Sequence, residues 1–166
     1  MNALLQPSSA RRAMTVRDLD GVMAVETSAY SHPWSRGNFI DSMAAGYLAE
    51  VLQGDAVGVV GYYVAMTGVD ELHLLNLTVA PAWQGQGHGT ALLRALQGHA
   101  QALQLGSLWL EVRRSNERAR ALYRRQGFVE AGLRKAYYPA AGLREDAVVM
   151  SLAIPPAQGR GLHGVD

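Results

Sequence analysis

A glycine-rich segment from Gln84 to Thr90 has the residue types and spacing of an anion-binding loop. Its glycines alternate where an apolar, strand-like run passes to a helix-like run, Ala91 to Leu105. Glycine reaches backbone angles that other residues avoid, and it has no side chain to keep a ligand away from the backbone. The first turn of a helix adds unpaired N–H groups and a partial positive charge. The segment therefore predicts a phosphate-binding site.

Other interpretations of this loop are less consistent with its spacing. A dinucleotide fingerprint needs G-x-G-x-x-G or G-x-G-x-x-A directly after a strand. Counted from Gly85, the sixth position is Thr90, and residues Ala80 to Gln84 separate the loop from the strand, although Glu111 stands near the distance of a ribose-binding acid. A P-loop is excluded, because no Gly-Lys-Ser or Gly-Lys-Thr follows. A third interpretation, an ordinary glycine turn without a ligand, also remains possible, although ordering several glycines costs conformational entropy.

The composition indicates a folded protein of one domain. The chain has 166 residues, of which 49% are hydrophobic and 17% charged, which is enough apolar material for a core. The net charge of +1 gives no argument for a nucleic-acid or anionic membrane partner. The sequence has no cysteine, which excludes disulfides and thiolate catalysis. No apolar run approaches the ~18 residues of a membrane span, and we expect a cytoplasmic protein.

Hydrophobic periodicity divides the chain into alternating strands and helices. We expect a loose arm over residues 1–12, one domain over residues 13–154 and a mobile tail over residues 155–166. The predicted order is β-α-α-β-β-β-α-β-α-β-β, an α/β fold of mixed α+β type with helices on both faces of a mixed sheet. The predicted elements are Met14–Arg17, Leu19–Tyr30 capped by Asp18, a short helix after Ser35, Tyr47–Leu52, Ala56–Met66, Glu71–Ala80, Ala91–Leu105, Leu108–Arg113, Asn116–Gln126, Phe128–Tyr138 and Asp146–Ala153.

The loop and several later motifs resemble one enzyme family. Gln84, Gly87 and Gly89 form a Gln-x-x-Gly-x-Gly arrangement that resembles the acyl-CoA pyrophosphate loop of the GCN5-related N-acetyltransferases. Separate motifs in the same order resemble the members that acetylate the N-terminal alanine of ribosomal protein S18. These motifs are Pro33-Trp34-Ser35, Leu108–Arg113, Ser115-Asn116, Ala121-Leu122-Tyr123, Gly127-Phe128, Tyr137-Tyr138-Pro139 and Gly142–Ala147. One departure is Gly85, where many members carry arginine; it removes a charge contact and leaves the backbone cradle.

This resemblance implies a single-domain fold with a mostly antiparallel sheet of about seven strands, and acetyl-CoA as co-substrate without a metal. It implies that the backbone before the loop pairs with the pantetheine arm and that the Val79 N–H polarises the thioester carbonyl. The implied acceptor is the N-terminus of an S18-like ribosomal protein, with no direct nucleic-acid contact, and we expect a monomer. The implied acetyl-CoA-binding residues are Leu77, Thr78, Val79, Gln84, Gly85, Gln86, Gly87, His88, Gly89, Thr90 and Asn116.

Glu111 is the candidate general base. It shares a strand face with Trp109 and Arg113, and a carboxylate within an apolar strand is costly unless it is paired or functional. The resemblance assigns the base role to this glutamate, whereas pairing with Arg113 on a solvated face is the alternative. The α-amino group has an unperturbed pKa of roughly 7.7–8.0, so a modest base, or a water held by one, is sufficient.

Tyr123 is the candidate general acid. A phenol with a pKa near ~10 is protonated at neutral pH and can give its proton to the departing thiolate. Tyr123 lies two helical turns after Asn116, so both side chains can line one wall of a groove. The alternatives are a core aromatic for Tyr123 and a simple helix N-cap for Asn116.

Several further residues have open roles. The resemblance implies that Trp34, Tyr137 and Tyr138 flank the point where a peptide enters. The alternative is ordinary packing in the core or at its rim. For His88 we favour a solvated loop residue over a phosphate contact, and the spacing of the histidines predicts no metal site. Glu145 and Asp146 can receive a basic peptide or belong to a solvated hairpin.

Three functions follow from these observations. The first is a protein N-terminal alanine acetyltransferase that uses acetyl-CoA, with S18 as its target. The second is a related acetyltransferase for a small molecule, another protein N-terminus or a lysine side chain. The third is an acyl-CoA-binding module without turnover, against which the presence of both Glu111 and Tyr123 argues.

Overall fold

A computed structural model describes residues 9–157 of the chain. The strands are β1 (Ser9–Ala13), β2 (Leu48–Gly54), β3 (Gly58–Thr67), β4 (Glu71–Val79), β5 (Ser107–Arg113), β6 (Val129–Tyr138) and β7 (Glu145–Ala153). The helices are α1 (Leu19–Ala29), α2 (Arg36–Ala44), α3 (His88–Ala102) and α4 (Glu117–Arg125). From α1 onward, every predicted element is present in the predicted order.

The strands form one mixed sheet of seven strands in the order β1-β2-β3-β4-β5-β7-β6. The β4–β5 pair is parallel, and the other neighbouring pairs are antiparallel. The α3 crossover joins the two parallel strands, since a parallel pair needs a long connection. The predicted fold class, a mostly antiparallel sheet with helices on both faces, is confirmed.

Each face of the sheet has its own hydrophobic core. Helix α3 packs Leu92, Leu93 and Leu96 on one face, together with Tyr123 of α4. On the other face, Val22 of α1 and Phe39 of α2 join a second cluster. The alternation of buried and half-buried residues along β5 follows from this arrangement, because successive strand side chains point to opposite faces. Both faces of the central sheet are therefore covered where the strands meet.

Local signals fix the ends of the helices. The Ser35 hydroxyl accepts a hydrogen bond from the Asn38 N–H, at 3.1 Å, and caps α2 as predicted. Gly127 has φ +98° after the end of α4, in the left-handed region that glycine reaches without strain. Both features depend on residues next to the helix, which is why the sequence predicts them well.

The N-terminal prediction is wrong for the residues that the structure describes. Residues 9–12, expected to be part of a loose arm, belong to β1, which pairs with β2 from Ser9↔Gly54 to Ala13↔Glu50. The expected strand Met14–Arg17 is instead a loop that enters a 3-10 turn at Val16. Alternation is absent from β1, all of whose residues are exposed. Residues 1–8 of the predicted arm and 158–166 of the predicted tail lie outside the described residues.

An ion pair explains the position of β1. The guanidinium of Arg12 donates to both carboxylate oxygens of Asp18, at 2.8 and 2.6 Å. This hydrogen bonding is the largest cause that lowers the pKa of Asp18 to about 2. The Asp18 side chain was expected to cap α1; it binds Arg12 and the Thr15 backbone N–H instead. The pair therefore anchors the edge strand to the start of α1.

The central sheet opens between β4 and β5. Their parallel pairing runs from Glu71↔Ser107 to Leu74↔Leu110 and stops there. At the same level, the β3–β4 register shifts between Val64↔Asn76 and Ala65↔Leu74, so Leu75 is an extra residue in β4. Such a bulge bends a strand and disrupts its ladder. The second half of β4 therefore leaves β5 and opens a gap in the sheet.

Within residues 9–157, no helix has both the length and the apolar character needed to cross a membrane.

Candidate active site

The gap between β4 and β5 continues into a cavity of about 810 Å³. Its walls come from β4, the glycine-rich loop, α3, α4 and the end of β5, with α1 and the following loop at one end. The predicted site residues that line it are Trp34, Leu77, Thr78, Val79, Gln84, Gly85, Gly87, His88, Gly89, Thr90, Glu111, Asn116, Tyr123 and Tyr138. The fold therefore brings together side chains that are far apart in sequence. Gln86 and Tyr137 are the predicted site residues outside this lining.

The glycine-rich loop has the backbone conformation that its sequence predicts. Gly85 and Gly87 have φ of +77° and +88°, in the region that side chains rarely adopt. A Cβ on Gly89 would lie 3.0 Å from the Leu122 side chain, so glycine allows α3 to approach α4 closely. Helix α3 begins directly after Gly87, and its first-turn N–H groups therefore lie at the loop.

His88 is not the solvated loop residue that we expected. It is the first residue of α3, is half-buried and lines the cavity. The predicted helix start at Ala91 is three residues too late, because glycine lowers helix propensity and so hides the first turn.

The strand before the loop turns towards the gap backbone groups that do not bond to β3. The Ala80 N–H donates to the Val60 carbonyl at 2.8 Å, so by alternation the backbone groups of Leu77 and Val79 point away from β3. Side chains reach the two carbonyls: Tyr30 Oη donates to Leu77 O at 3.3 Å, and Gln84 Nε2 donates to Val79 O at 3.1 Å. The local opening that carbonyl polarisation by Val79 requires is therefore present.

Two arginines add positive charge to the cavity wall beside the loop. Arg118 and Arg125 of α4 line the cavity. A Cβ on Gly85 would lie 3.6 Å from Arg118 Nη2, so this guanidinium stands next to the loop position that lacks an arginine. Among residues 9–157, neither arginine has a salt bridge. The sequence analysis did not select them; the available signal was their seven-residue spacing, which places both on one face of α4.

Glu111 is half-buried and is bonded by His73 and Arg134 rather than by Arg113. Its Oε2 lies 2.5 Å from His73 Nε2, and its Oε1 lies 3.2 Å from Arg134 Nη1. The hydrogen bond from His73 is the main cause that lowers the pKa of Glu111, while partial burial acts in the opposite direction. Arg113 instead pairs with Glu145, at 3.2 Å. Glu111 is therefore ionised well below neutral pH.

Tyr123 is both a core residue and a cavity residue. It is 7% exposed, and its ring lies 5.6 Å from that of Phe128, centroid to centroid. Burial is the main cause that raises the pKa of Tyr123, and the nearby phenols of Tyr30 and Tyr138 raise it further. The phenol consequently keeps its proton throughout the neutral and mildly alkaline range, as a proton donor must.

Asn116 has a confirmed structural role. Its Oδ1 accepts a hydrogen bond from the Ala119 N–H at 3.1 Å and caps α4. The residue also lines the cavity, so a contact with the cofactor stays a prediction.

The predicted aromatic residues divide between the cavity and the surface. The Trp34 ring packs on Phe39, with a centroid distance of 5.1 Å, and the Arg113 guanidinium lies 4.6 Å from the Tyr138 ring centroid. Tyr137 is 38% exposed and stacks under Arg134. Trp34 and Tyr138 thus line the cavity, and a substrate contact by any of the three aromatic residues stays a prediction.

The acidic residues of the β6–β7 hairpin, Glu145 and Asp146, accept hydrogen bonds from backbone N–H groups. Glu145 Oε1 accepts from the Ser115 backbone N–H at 2.7 Å, and Asp146 Oδ1 accepts from the Ala136 backbone N–H at 2.9 Å. Hydrogen bonds from Ser115 are the main cause that lowers the pKa of Glu145. The Glu145 bond connects the hairpin to the β5–α4 turn, and the Asp146 bond joins the two strands of the hairpin, so both favour the structural alternative.

A buried polar network around Glu26 of α1 was missed by the sequence analysis. Glu26 is 1% exposed, lines the cavity, and accepts hydrogen bonds from Tyr62 Oη and from the Trp34 N–H, the latter at 3.1 Å. Thr78 continues the network to the Tyr30 hydroxyl at 2.8 Å. The signal for Glu26 was a carboxylate on the apolar stripe of α1, beside Val22 and Val25.

Among the described residues, no group of three or more His, Asp or Glu side chains is placed to hold a metal ion.

Comparison with known proteins is consistent with this geometry. The family model described as the acetyltransferase (GNAT) family matches residues 19–128. The chain belongs to this family. It is 39% identical over 137 residues to the ribosomal protein bS18-alanine N-acetyltransferase of Haemophilus ducreyi, which covers 82% of this chain and 94% of that protein.

Solved structures of GNAT proteins share the fold. The crystal structure of the ribosomal-protein-S18-alanine N-acetyltransferase from Escherichia coli has a TM-score of 0.82 and 34% identity, over 95% of this chain and 100% of that one. A GNAT phosphinothricin acetyltransferase from Sinorhizobium meliloti, solved with AcCoA, has a TM-score of 0.74 and 22% identity, over 91% and 94% of the two chains. The Escherichia coli structure supports membership of the family, whereas the Sinorhizobium meliloti structure, at 22% identity, shows the fold alone.

The protein is therefore a GNAT N-acetyltransferase, and the family uses acetyl-CoA as co-substrate. The predicted enzyme class and the resemblance to the alanine N-acetyltransferases are confirmed.

Proposed function

We propose that this protein transfers the acetyl group of acetyl-CoA to the N-terminal alanine of ribosomal protein S18, with Glu111 as general base and Tyr123 as general acid. The observation that carries the proposal is that both side chains line one cavity, which also contains the glycine-rich loop. The acceptor follows from the names of relatives at 34% and 39% identity.

The cofactor half of the cavity suits an elongated, anionic thioester. The loop and the first turn of α3 present backbone N–H groups for the pyrophosphate. Arg118 and Arg125 add cations to the same wall, where they can attract further phosphate charge. The gap-facing backbone of Leu77 and Val79 can pair with the amide groups of the pantetheine arm.

The acid and the base then divide the proton transfers. The acceptor ammonium gives one proton to Glu111, directly or through a water, and the freed nitrogen attacks the thioester carbon. The Val79 N–H stabilises the oxyanion that forms, as the carbon–nitrogen bond is made and the carbon–sulfur bond breaks. Tyr123 donates its proton to the departing sulfur and regains one from the product nitrogen. One proton is released to solvent in each turnover.

The acceptor half of the cavity suits a primary amine at a chain end. We assign Tyr30, Trp34, Tyr138 and the buried Glu26 to this half; all four line the cavity. An α-amino group with a pKa of roughly 7.7–8.0 needs only modest activation, whereas a lysine near ~10.4 needs more. A carboxylate that is ionised and hydrogen-bonded by His73 and Arg134 is a base of modest strength, which favours the α-amino acceptor.

A substrate comparison tests the acceptor. We expect a short peptide with the N-terminal sequence of S18 to release CoA thiol much faster than spermidine or free lysine, and the same peptide with a blocked α-amino group to release none. Faster turnover of the small amines would favour the second candidate function. Binding of acetyl-CoA without thiol release from any amine would favour the binding module.

Location and assembly are also proposals. We propose that the enzyme acts as a monomer in the cytoplasm, where a newly made ribosomal protein presents its N-terminus. Light scattering coupled to size-exclusion chromatography tests the monomer, and a mass of twice 17.9 kDa would contradict it.

A further inference from the structure

His73 is the nearest partner of the proposed base. It lies on β4 opposite Trp109 of β5 in the parallel ladder, and its Nε2 approaches Glu111 Oε2 to 2.5 Å. Both side chains are largely shielded, with 24% of His73 and 13% of Glu111 exposed. A histidine therefore contacts the proposed base at short range in a region of reduced solvent screening.

Glu111 by itself cannot produce a pH dependence near neutrality. Its pKa is held below the ordinary range by His73, by the Arg134 guanidinium and by their charges, so the carboxylate is already ionised at every pH at which an α-amino group reacts. A titrating group that changes the behaviour of this carboxylate near neutrality must be a neighbour, and histidine is the side chain that titrates there.

The groups around His73 come from three strands. Glu111 of β5 contacts it directly, Arg134 of β6 repels its positive charge, and Glu71 of β4 attracts it. The hydrogen bond to Glu111 is the largest of these effects and raises the pKa of His73 above its usual value. Partial burial and Arg134 act in the opposite direction. The imidazole thus keeps its second proton to a higher pH than a free histidine.

We propose that His73 is a positioning residue for Glu111, and that loss of its Nδ1 proton lets Glu111 accept a proton from the acceptor amine. The Nε2–H remains bonded to Oε2 in both states and fixes the carboxylate. With imidazolium beside it, the carboxylate is neutralised by two cations and binds another proton poorly. With neutral imidazole, the pair carries one net negative charge, and Glu111 becomes a competent base. The inference rests on the proposed base role of Glu111.

The proton balance is closed within this scheme. The pair releases the Nδ1 proton of His73 to solvent when it enters its active form. The proton from the acceptor ammonium then returns the pair to zero net charge, and solvent removes it before the next turnover. The two groups titrate as a pair, so the measured constants belong to the pair rather than to either residue.

The test compares the pH profiles of kcat/KM for the wild type and His73→Gln. Glutamine keeps a neutral N–H donor for Glu111 and removes the titration. A histidine with an ordinary pKa of ~6.5 already lowers activity about fourfold from pH 8 to pH 6. We therefore expect the ratio of activity at pH 6 to that at pH 8 to rise more than about fourfold in His73→Gln. The acceptor's own titration contributes equally to both profiles and cancels in this comparison.

A second histidine–glutamate pair provides the matched control. His99 Nε2 lies 2.7 Å from Glu50 Oε1, and neither residue belongs to the cavity lining. His99→Gln should leave the ratio unchanged. An unchanged ratio in His73→Gln, or an equal rise in both variants, would overturn the proposal.

Imidazole NMR of the wild-type protein makes the test independent of turnover and of how well a His73 variant folds. We expect the His73 ring to titrate above ~6.5 in the wild type and to return towards ~6.5 in Glu111→Gln. A ring that titrates at the ordinary value in both proteins would contradict the inference. Equal activity of Glu111→Gln and the wild type at every pH would instead contradict the base role, which separates failure of the proposed function from failure of the His73 inference.

Discussion

The carboxylate of Glu26 accepts two hydrogen bonds from the side-chain amide of Asn76, with Nδ2 to Oε distances of 3.2 and 3.3 Å. Asn76 follows the extra residue of β4, and Glu26 lies in α1, so these bonds join the helix to the bent half of the strand. The Trp34 N–H binds the same carboxylate. One buried side chain therefore positions the β4 backbone and the loop that carries Trp34.

Glu26→Gln is expected to weaken both the fold and acceptor binding. The groups that bind the carboxylate all donate, namely Tyr62 Oη, the Trp34 N–H and Asn76 Nδ2. An amide NH2 would face at least one of them, and an unsatisfied buried donor costs about 1–3 kcal/mol. Urea titration should show that loss in the free energy of unfolding, and KM should rise for the peptide more than for acetyl-CoA.

The control for Glu26 is Asp41→Asn on the exposed side of α2. This substitution removes a carboxylate without burying an amide. It should change neither the free energy of unfolding nor KM for the peptide. Full stability of Glu26→Gln would show that the network does not support the fold.

Glu111→Gln is expected to lower the rate most at neutral pH. Loss of a general base typically costs about 10²–10⁴ in rate. Because the pKa of Glu111 is lowered, the wild-type carboxylate is ionised across the whole assay range, and on the alkaline side the deficit should shrink as the amine itself loses its proton above roughly 8. Steady-state kinetics from pH 6 to pH 9.5 measure this change.

Glu130→Gln is the matched control for Glu111. Like Glu111, Glu130 is a carboxylate with two basic partners, in this case Arg120 and Arg124. It lies outside the cavity. Replacing Glu130 by glutamine should leave the rate unchanged from pH 6 to pH 9.5. A constant deficit of Glu111→Gln at every pH would assign Glu111 a role other than proton transfer.

Tyr123→Phe is expected to slow turnover while acetyl-CoA still binds. The substitution keeps the ring that packs on Phe128 and removes the hydroxyl. Loss of a positioned acid typically costs about 10²–10⁴ in rate, whereas calorimetry should give an acetyl-CoA Kd within about tenfold of the wild type, since one lost neutral contact is worth about 0.5–1.5 kcal/mol at most. Tyr47→Phe, a half-buried phenol outside the cavity, is the control. Equal turnover of both variants would remove Tyr123 as the acid.

The sequence predicts the features that depend on neighbouring residues. The glycine loop, the Asn116 cap and the alternation that places Glu111 on its strand face involve residues within one turn or one strand of each other. Backbone conformation and periodicity fix such features locally. For this reason, the element order from α1 onward and the glycine-loop side of the cavity could be predicted from one sequence.

The acceptor side of the cavity depends on contacts between distant residues. Glu26 meets Asn76, and His73 meets Glu111, across different elements of the fold. The bulge at Leu75 changes the face on which later β4 residues lie, and nothing in the apolar run announces it. Strand β1 was missed for a related reason, since its exposed residues show no alternation. To predict that Glu26 meets Asn76 and that His73 meets Glu111, one must know the register of the whole sheet.

The loop conformation itself can be tested at Gly87. Its φ of +88° puts an L side chain in a strained region, although a Cβ there would meet no atom within 4 Å, so Gly87→Ala isolates backbone strain of about 1–2 kcal/mol. We expect the strain to disturb the N–H groups before α3 and to raise KM for acetyl-CoA about tenfold, since 1.4 kcal/mol is one decade, with little change in KM for the peptide. Gly98→Ala is the control: it is also uncrowded but lies within α3, where alanine should stabilise the protein by about 1 kcal/mol and leave KM unchanged. An unchanged KM for acetyl-CoA in Gly87→Ala would show that the left-handed turn at Gly87 does not hold the pyrophosphate.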